Sequence, residues 1–238
     1  MNAPYPMQVL MPVQRLPFTV RAVRHERELR KAVDVRQRAY GRHVPELGAL
    51  LREPEPQDRD AGNVVLLAES RLDGAPLGTL RIQTNRHRPL ALEGSVELPA
   101  WLAGASLAEA TRLGVAEGRV GRMVKTMLFK ALYLHCLAED IDWMVIGARA
   151  PLDRMYAGLL FEDVFPGRGY VPLKHAGNLP HRILGFELAS AEARWSAARH
   201  PLLELFVGTR HPDIEVGGRV PVARPIELRH EARPALAA

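Results

Sequence analysis

Two full and opposite charges, Glu109 and Arg112, stand three residues apart in the otherwise apolar stretch EATRLGV (109–115). A carboxylate of ordinary pKa is a weak base, and desolvation inside an apolar strand strengthens it toward neutral pH. Glu109 is therefore the candidate base and Arg112 its electrostatic partner. Strict β alternation works against the pair. It sets Glu109, Thr111, Leu113 and Val115 on one face, and Ala110, Arg112 and Gly114 on the other. Both side chains serve one site only if a β-bulge lies between or beside them.

A third charge is out of place on HERELRKAVDVRQRAY (25–40). Helical spacing there puts Leu29, Val33, Arg36 and Tyr40 on one stripe. Arg36 then points toward the body of the protein, where it either snorkels to solvent or pairs with a buried carboxylate. Asp60 and Glu109 are the acids that fit. Nine histidines are scattered without an HExxH, so no metal site is expected. Cys136, the single cysteine, falls in an apolar helical stretch and reads as a buried small residue. No GxSxG or Walker loop is present.

The elements that must hold these residues follow in order. FTVRAV (18–23) reads as a strand and 25–40 as a helix, and the acidic, proline-broken PELGALLREPEPQDRDAGN (45–63) as a loop or short helix over the surface. VVLLAESR (64–71) and GTLRIQTN (78–85) flank an Asp-Gly hairpin signal. The strand AEATRLGV (108–115) precedes the strongest helical run, 122–138. Strand DWMVIGAR (142–149), helix LDRMYAGLLF (152–161) and strand HRILGFEL (181–188) come next, and Pro201 breaks a last helical stretch. This order predicts an α/β fold with a mixed sheet, an antiparallel meander and then a strand–helix–strand crossover, flanked by helices. Residues 1–17 read as an extended N-terminal segment, 18–211 as one domain and 212–238 as a tail.

Composition is that of a globular protein, 47% hydrophobic and 25% charged. The proline-broken N-terminus carries no secretory signal pattern, no run suits a membrane span, and a cytoplasmic location is expected. A net charge of +5 points to an acidic partner, but 6% aromatic residues without basic interleaving disfavour nucleic acid.

The run AEATRLGV, RMVKTMLFKALYLHCLA, DWMVIGAR and LDRMYAGLLF resembles the core of the GNAT acyltransferase fold. Its charged residues resemble one branch, the acyl-homoserine-lactone autoinducer synthases and the long-chain N-acyl amino acid synthases. The likeness rests on Arg36 with Tyr40, on Asp60 or else Asp58, on Arg81 in GTLRI, and on Glu109 with Arg112. It implies a polar network of Arg36, Asp60, Arg81, Glu109 and Arg112 on the acceptor side, with Tyr40 beside it, and a bulge in the Glu109 strand. Backbone N–H groups at that bulge would hold an oxyanion.

Two departures narrow the reading. EGRVGRMV (117–124) does not satisfy the glycine-rich pyrophosphate loop of the acetyl-CoA branch, and YGRHVPELGALL (40–51) lacks the tryptophan usual in homoserine-lactone synthases. The expectation is an N-acyl amino acid synthase using an acyl carrier protein thioester. Acyl-CoA is the less favoured donor, and the alternatives are a homoserine-lactone synthase or a non-catalytic carrier-binding relative. No cofactor is expected beyond the acyl co-substrate. Arg119, Arg122 and Lys125, with Lys130, Arg149 and Arg154 nearby in sequence, form either a solvated face or the docking patch for an acidic carrier. Met123, Met127, Leu128, Phe129, Leu132, Met144 and Ile146 would line an acyl slot or fill the core. The loop HAGNLPH (175–181) is a candidate contributor to the acceptor pocket.

Overall fold

The computed structural model describes residues 11–216. Strand β1 (Phe18–Ala22) leads into α1 (Glu26–Gly41) and α2 (Pro45–Leu50); a 3-10 turn (Pro56–Arg59) follows. Strands β2 (Asn63–Ser70), β3 (Pro76–Thr84) and β4 (Leu107–Val115) precede α3 (Gly118–Ala138), β5 (Trp143–Ala148) and α4 (Leu152–Gly158). The remaining elements are β6 (Glu162–Asp163), β7 (Val171–Leu173), β8 (Leu179–Glu187), α5 (Ala191–Ala197) and β9 (Ile214–Glu215). The sheet runs β6-β8-β5-β4-β3-β2-β1-β9, with β7 paired to β8. β1 to β4 are an antiparallel meander, and β5 returns parallel to β4 after α3. The mixed sheet flanked by helices is the architecture that the order of elements predicts.

Alternation along β3 and β4 gives the two sheet faces different chemistry. Leu80, Ile82, Ala108 and Ala110 join Met144, Ile146, Leu184 and Phe186 beneath Val124, Met127, Leu128 and Leu132 of α3. That is the main core. The opposite face holds two smaller apolar clusters. One sets Leu29, Ala32 and Val33 of α1 on Val65 and Leu67; the other sets Leu90 and Leu92, from the connection after β3, and Leu173 of β7 on Val145 and Ile183. Thr79, Arg81, Gln83, Glu109, Thr111 and Arg112, all buried, occupy the sheet between those clusters.

Three expectations need correcting. α3 begins at Gly118 rather than 122, because Gly121 lets its first turn press on the chain before it: a Cβ there would lie 1.7 Å from the Ala116 carbonyl oxygen. Lys130, grouped in sequence with the basic surface, is buried, and its ammonium bonds the carbonyls of Leu205 and Thr209 and the ring of His211. Residues 212–216 are not wholly tail, since Ile214–Glu215 pairs parallel to β1 and buried Asp213 accepts the Leu16 N–H at 2.9 Å. Residues 1–10 and 217–238, the rest of the expected terminal segments, lie outside the described residues.

Candidate active site

β4 carries the bulge. Its register with β3 runs Glu109↔Gln83, Ala110↔Ile82, Thr111↔Arg81 and then Gly114↔Thr79, so Arg112 and Leu113 together oppose Leu80. Arg112 takes the left-handed conformation, φ 56°, which costs an L-residue roughly 1–2 kcal/mol. The inserted residue changes the faces. Glu109, Thr111, Arg112 and Gly114 now share one side, while Ala110, Leu113 and Val115 pack on the α3 side. At the same level β4 leaves β5: their pairing ends at Ala110↔Ile146, and β5 continues to Ala148 against β8 alone. Gly114 lets α1 settle close, since a Cβ there would lie 3.1 Å from Ala39 Cβ and 3.2 Å from Arg36 Cα.

Arg36 is fully buried and pairs rather than snorkels. Its guanidinium grips Asp58 in two bonds, of 2.8 and 2.9 Å, and reaches Glu55 at 3.3 Å. Arg81 donates to Glu55 (3.0 Å), Asp58 (3.1 Å) and the Thr111 hydroxyl (3.1 Å). Arg112 closes the cluster with two 2.6 Å bonds to Glu55 and one of 2.9 Å to the His175 carbonyl. Burial pushes both carboxyls up, but Arg112 on Glu55 and Arg36 on Asp58 outweigh it and hold each below its usual range. Burial lowers the Arg81 guanidinium, against the pull of Glu55, and raises the Tyr40 phenol, against the pull of Arg112.

Asp60 is the site residue that the sequence places wrongly. It pairs with half-exposed Arg88 at 2.7 Å, and Asp58 takes the inner position, with Glu55 as a second acid that sequence reasoning missed. The 3-10 turn is the cause: residues three apart stack on one side of it, and the Glu55 N–H donates to Asp58 (2.8 Å) to fix both. Proline-broken EPEPQDRD has no helical periodicity, so its only advance signal was two acids at that spacing.

Glu109 stands apart from this network. It is fully buried, accepts the Leu92 N–H at 3.1 Å through Oε2, and has Oε1 3.4 Å from His175 Nε2. Burial raises its carboxyl to about 7, with the Leu92 and Ala91 amides opposing. Burial and then Arg112 press His175 down to about 4. The contact therefore joins a neutral imidazole to a carboxyl that titrates near neutrality, and is not an ion pair. His181, at the other end of HAGNLPH, bonds the Leu179 carbonyl at 2.7 Å instead.

On the far side of the sheet Arg119, Arg122 and Arg154 are exposed and Lys125 half-buried, and none has an ion pair among the described residues. Met127, Leu128, Phe129, Leu132, Met144 and Ile146 are packed into the core, whereas Met123 is exposed. A shallow groove of about 520 Å³ runs instead between α1 and α2, lined by Gln37, Arg38, Gly41, Arg42, Pro45, Ala49 and Arg52.

A bulged fourth strand that parts from a parallel fifth, with a long helix between them, is the core of the GNAT acyltransferase fold, and this chain has that fold. Among solved structures, FeeM, an N-acyl amino acid synthase from uncultured soil microbes, matches with TM-score 0.59 at 19% identity, over 76% of this chain and 96% of its own. BjaI, a CoA-dependent acyl-homoserine lactone synthase, gives 0.51 at 15%, over 85% and 94%. A putative GNAT-family acetyltransferase from Desulfovibrio desulfuricans gives 0.51 at 12%, over 72% and 99%. No family model matches the sequence, and no curated protein matches it.

Proposed function

We propose that this protein is an acyltransferase that moves a long-chain fatty acyl group from an acyl carrier protein thioester to the α-amine of an amino acid. One observation carries the reading: Glu109 is a buried carboxyl raised to about 7, one residue from where β4 and β5 part. A base titrating there is matched to an α-amine of pKa near 8. The ammonium gives one proton to Glu109, the neutral nitrogen attacks the thioester carbonyl, and as the C–S bond breaks the nitrogen's second proton passes to the departing thiolate, which leaves as the thiol. Backbone amides of the Arg112 bulge, beyond the last β4–β5 pair, would supply the donors that an oxyanion needs. The cluster of Arg36, Glu55, Asp58, Arg81 and Arg112 holds the bulge and carries one surplus positive charge, suited to an acceptor carboxylate. Likeness to FeeM supports the same choice of product class.

The donor would dock by its acidic surface on Arg119, Arg122, Lys125 and Arg154, and no cofactor is invoked. Acyl-homoserine-lactone synthesis is the second reading, favoured by the 85% of the chain that BjaI matches. Mass spectrometry of lipid extracts from an expressing host separates the two. N-acyl amino acids support the first reading and acyl lactones the second; soluble protein yielding neither rejects both.

A further inference from the structure

Glu109 meets the rest of the protein through two short turns, one on each carboxyl oxygen. The 3-10 turn Ala91–Gly94 gives the Leu92 N–H to Oε2 at 3.1 Å. The 3-10 turn Lys174–Ala176 sets the His175 ring against Oε1, with Nε2 3.4 Å away. Oε1 is buried and closes no hydrogen bond with any described residue, and Nδ1 of the ring is likewise buried without a partner. A proton on Nδ1 would bury an N–H with no acceptor, whereas a proton on Nε2 faces a carboxylate. The neutral ring therefore carries Nε2–H.

The backbone holds this ring in place. Arg112 donates to the His175 carbonyl at 2.9 Å, and the Lys174 N–H donates to Ser95 Oγ at 2.9 Å. Gly177, at φ 71°, ends the turn, and the Asn178 N–H bonds back to the Leu173 carbonyl at 2.9 Å. Ser95 also closes the other turn, with its N–H on the Leu92 carbonyl at 2.9 Å. The two turns are thereby tied to one another, and Ala176 packs in the same apolar cluster as Leu92. We infer that His175 is a positioning residue for the acyl-transfer base: its Nε2–H fixes Glu109 Oε1 and favours the ionised carboxylate, leaving that oxygen's second lone pair for a proton of the amine.

A separation of 3.4 Å suits a bond that strengthens as the base forms. A protonated carboxyl offers Nε2–H a weak acceptor, and ionisation makes the bond charge-assisted and shorter. The charges around the ring keep it in the form that donates. Burial first, then Arg112 on β4 and His181 on β8, and more weakly Arg81 on β3, hold the imidazole neutral down to about pH 4, with the Ala91 backbone opposing. Glu109 is the acid that faces it. The inference rests on the acyl-transfer reading only for what the carboxylate does next.

Two readouts separate this role from a purely structural one. In 15N-histidine-labelled wild-type protein, His175 should hold the Nε2–H tautomer around neutral pH. Its Nε2 resonance should shift with a midpoint near pH 7 as Glu109 ionises, and Glu109→Gln should abolish that shift. An Nδ1–H tautomer, or an Nε2 resonance indifferent to pH there, overturns the inference. In turnover, His175→Phe should move the midpoint of kcat/KM for the amine up by about one unit, the effect of one lost hydrogen bond to a charged group. That lowers kcat/KM about fivefold at pH 7 and restores it about two units higher. His175→Gln, whose amide nitrogen reaches the Nε2 position, should keep the wild-type midpoint. A loss of rate with the midpoint unmoved is a structural effect, and the inference then falls while the reaction stands. Coupling of His175 to Glu109 without any acyl product would leave the positioning contact standing and reject acyl transfer.

Discussion

Glu109 decides both activity and pH response. Its unfolded carboxyl titrates near 4.5 and its folded one near 7, so the folded state binds the proton more tightly. Its contribution to stability is full below about pH 4.5 and is lost as pH rises through 7, an effect of about 3 kcal/mol. Activity should move the opposite way, with kcat/KM for the amine rising through pH 7 as the carboxylate forms. Glu109→Gln should lower amide synthesis at least ~100-fold. The same variant should gain stability over wild type in urea unfolding at alkaline pH but not at pH 4. A Gln variant with a wild-type rate would remove the base from the mechanism. Sequence showed the charge and its apolar setting; the raised pKa depends on loops 85–106 and 164–178, whose covering role has no periodic signature.

At the scale of elements, the 3-10 turn is the part most dependent on its neighbours. Glu55 bonds three guanidiniums, and removing one partner of a buried pair costs about 3–5 kcal/mol. Glu55→Ala should therefore destabilise the fold by that order, measured by chemical denaturation, and more than Asp60→Ala, whose partner Arg88 is half-exposed. Equal losses would contradict the assignment. The bulge in β4 was legible because Glu109 and Arg112 cannot share a regular strand's face. Arg36 was legible because a charge on an apolar helical stripe must find a partner. Which acid it finds was not: Asp58 and Asp60 are two residues apart in an aperiodic stretch, and only the turn's geometry separates them. His175 was visible only as part of an unusual loop, since its partner lies 66 positions back in the chain.

For the whole molecule, the excess of positive charge is unevenly used. Arg36, Arg81 and Arg112 are consumed inside, while Arg119, Arg122, Lys125 and Arg154 remain for solvent or a partner. Charge reversal at Arg119 and Arg122 should raise KM for an acyl carrier protein donor about tenfold at low salt, and far less near 1 M salt. A small acyl-pantetheine donor should be unaffected, and a comparable loss with it would place those arginines in the reacting site. Order and type of the long elements were readable because each has a clear period. The short strands β6, β7 and β9 were not, since two or three residues carry no period and exist only through their partners.

The lysine buried in α3 also bears on how the chain is made. Its acceptors come from residues 205, 209 and 211, and β1 gains its outer neighbour from residues 214 and 215. A nascent chain that has released α3 but not this segment holds an ammonium at the edge of its core with nothing to receive it. Contacts this distant in sequence form late, so this domain should complete folding only after residues 205–215 have left the ribosome. Until then the unfinished β1 edge is the surface a chaperone must guard.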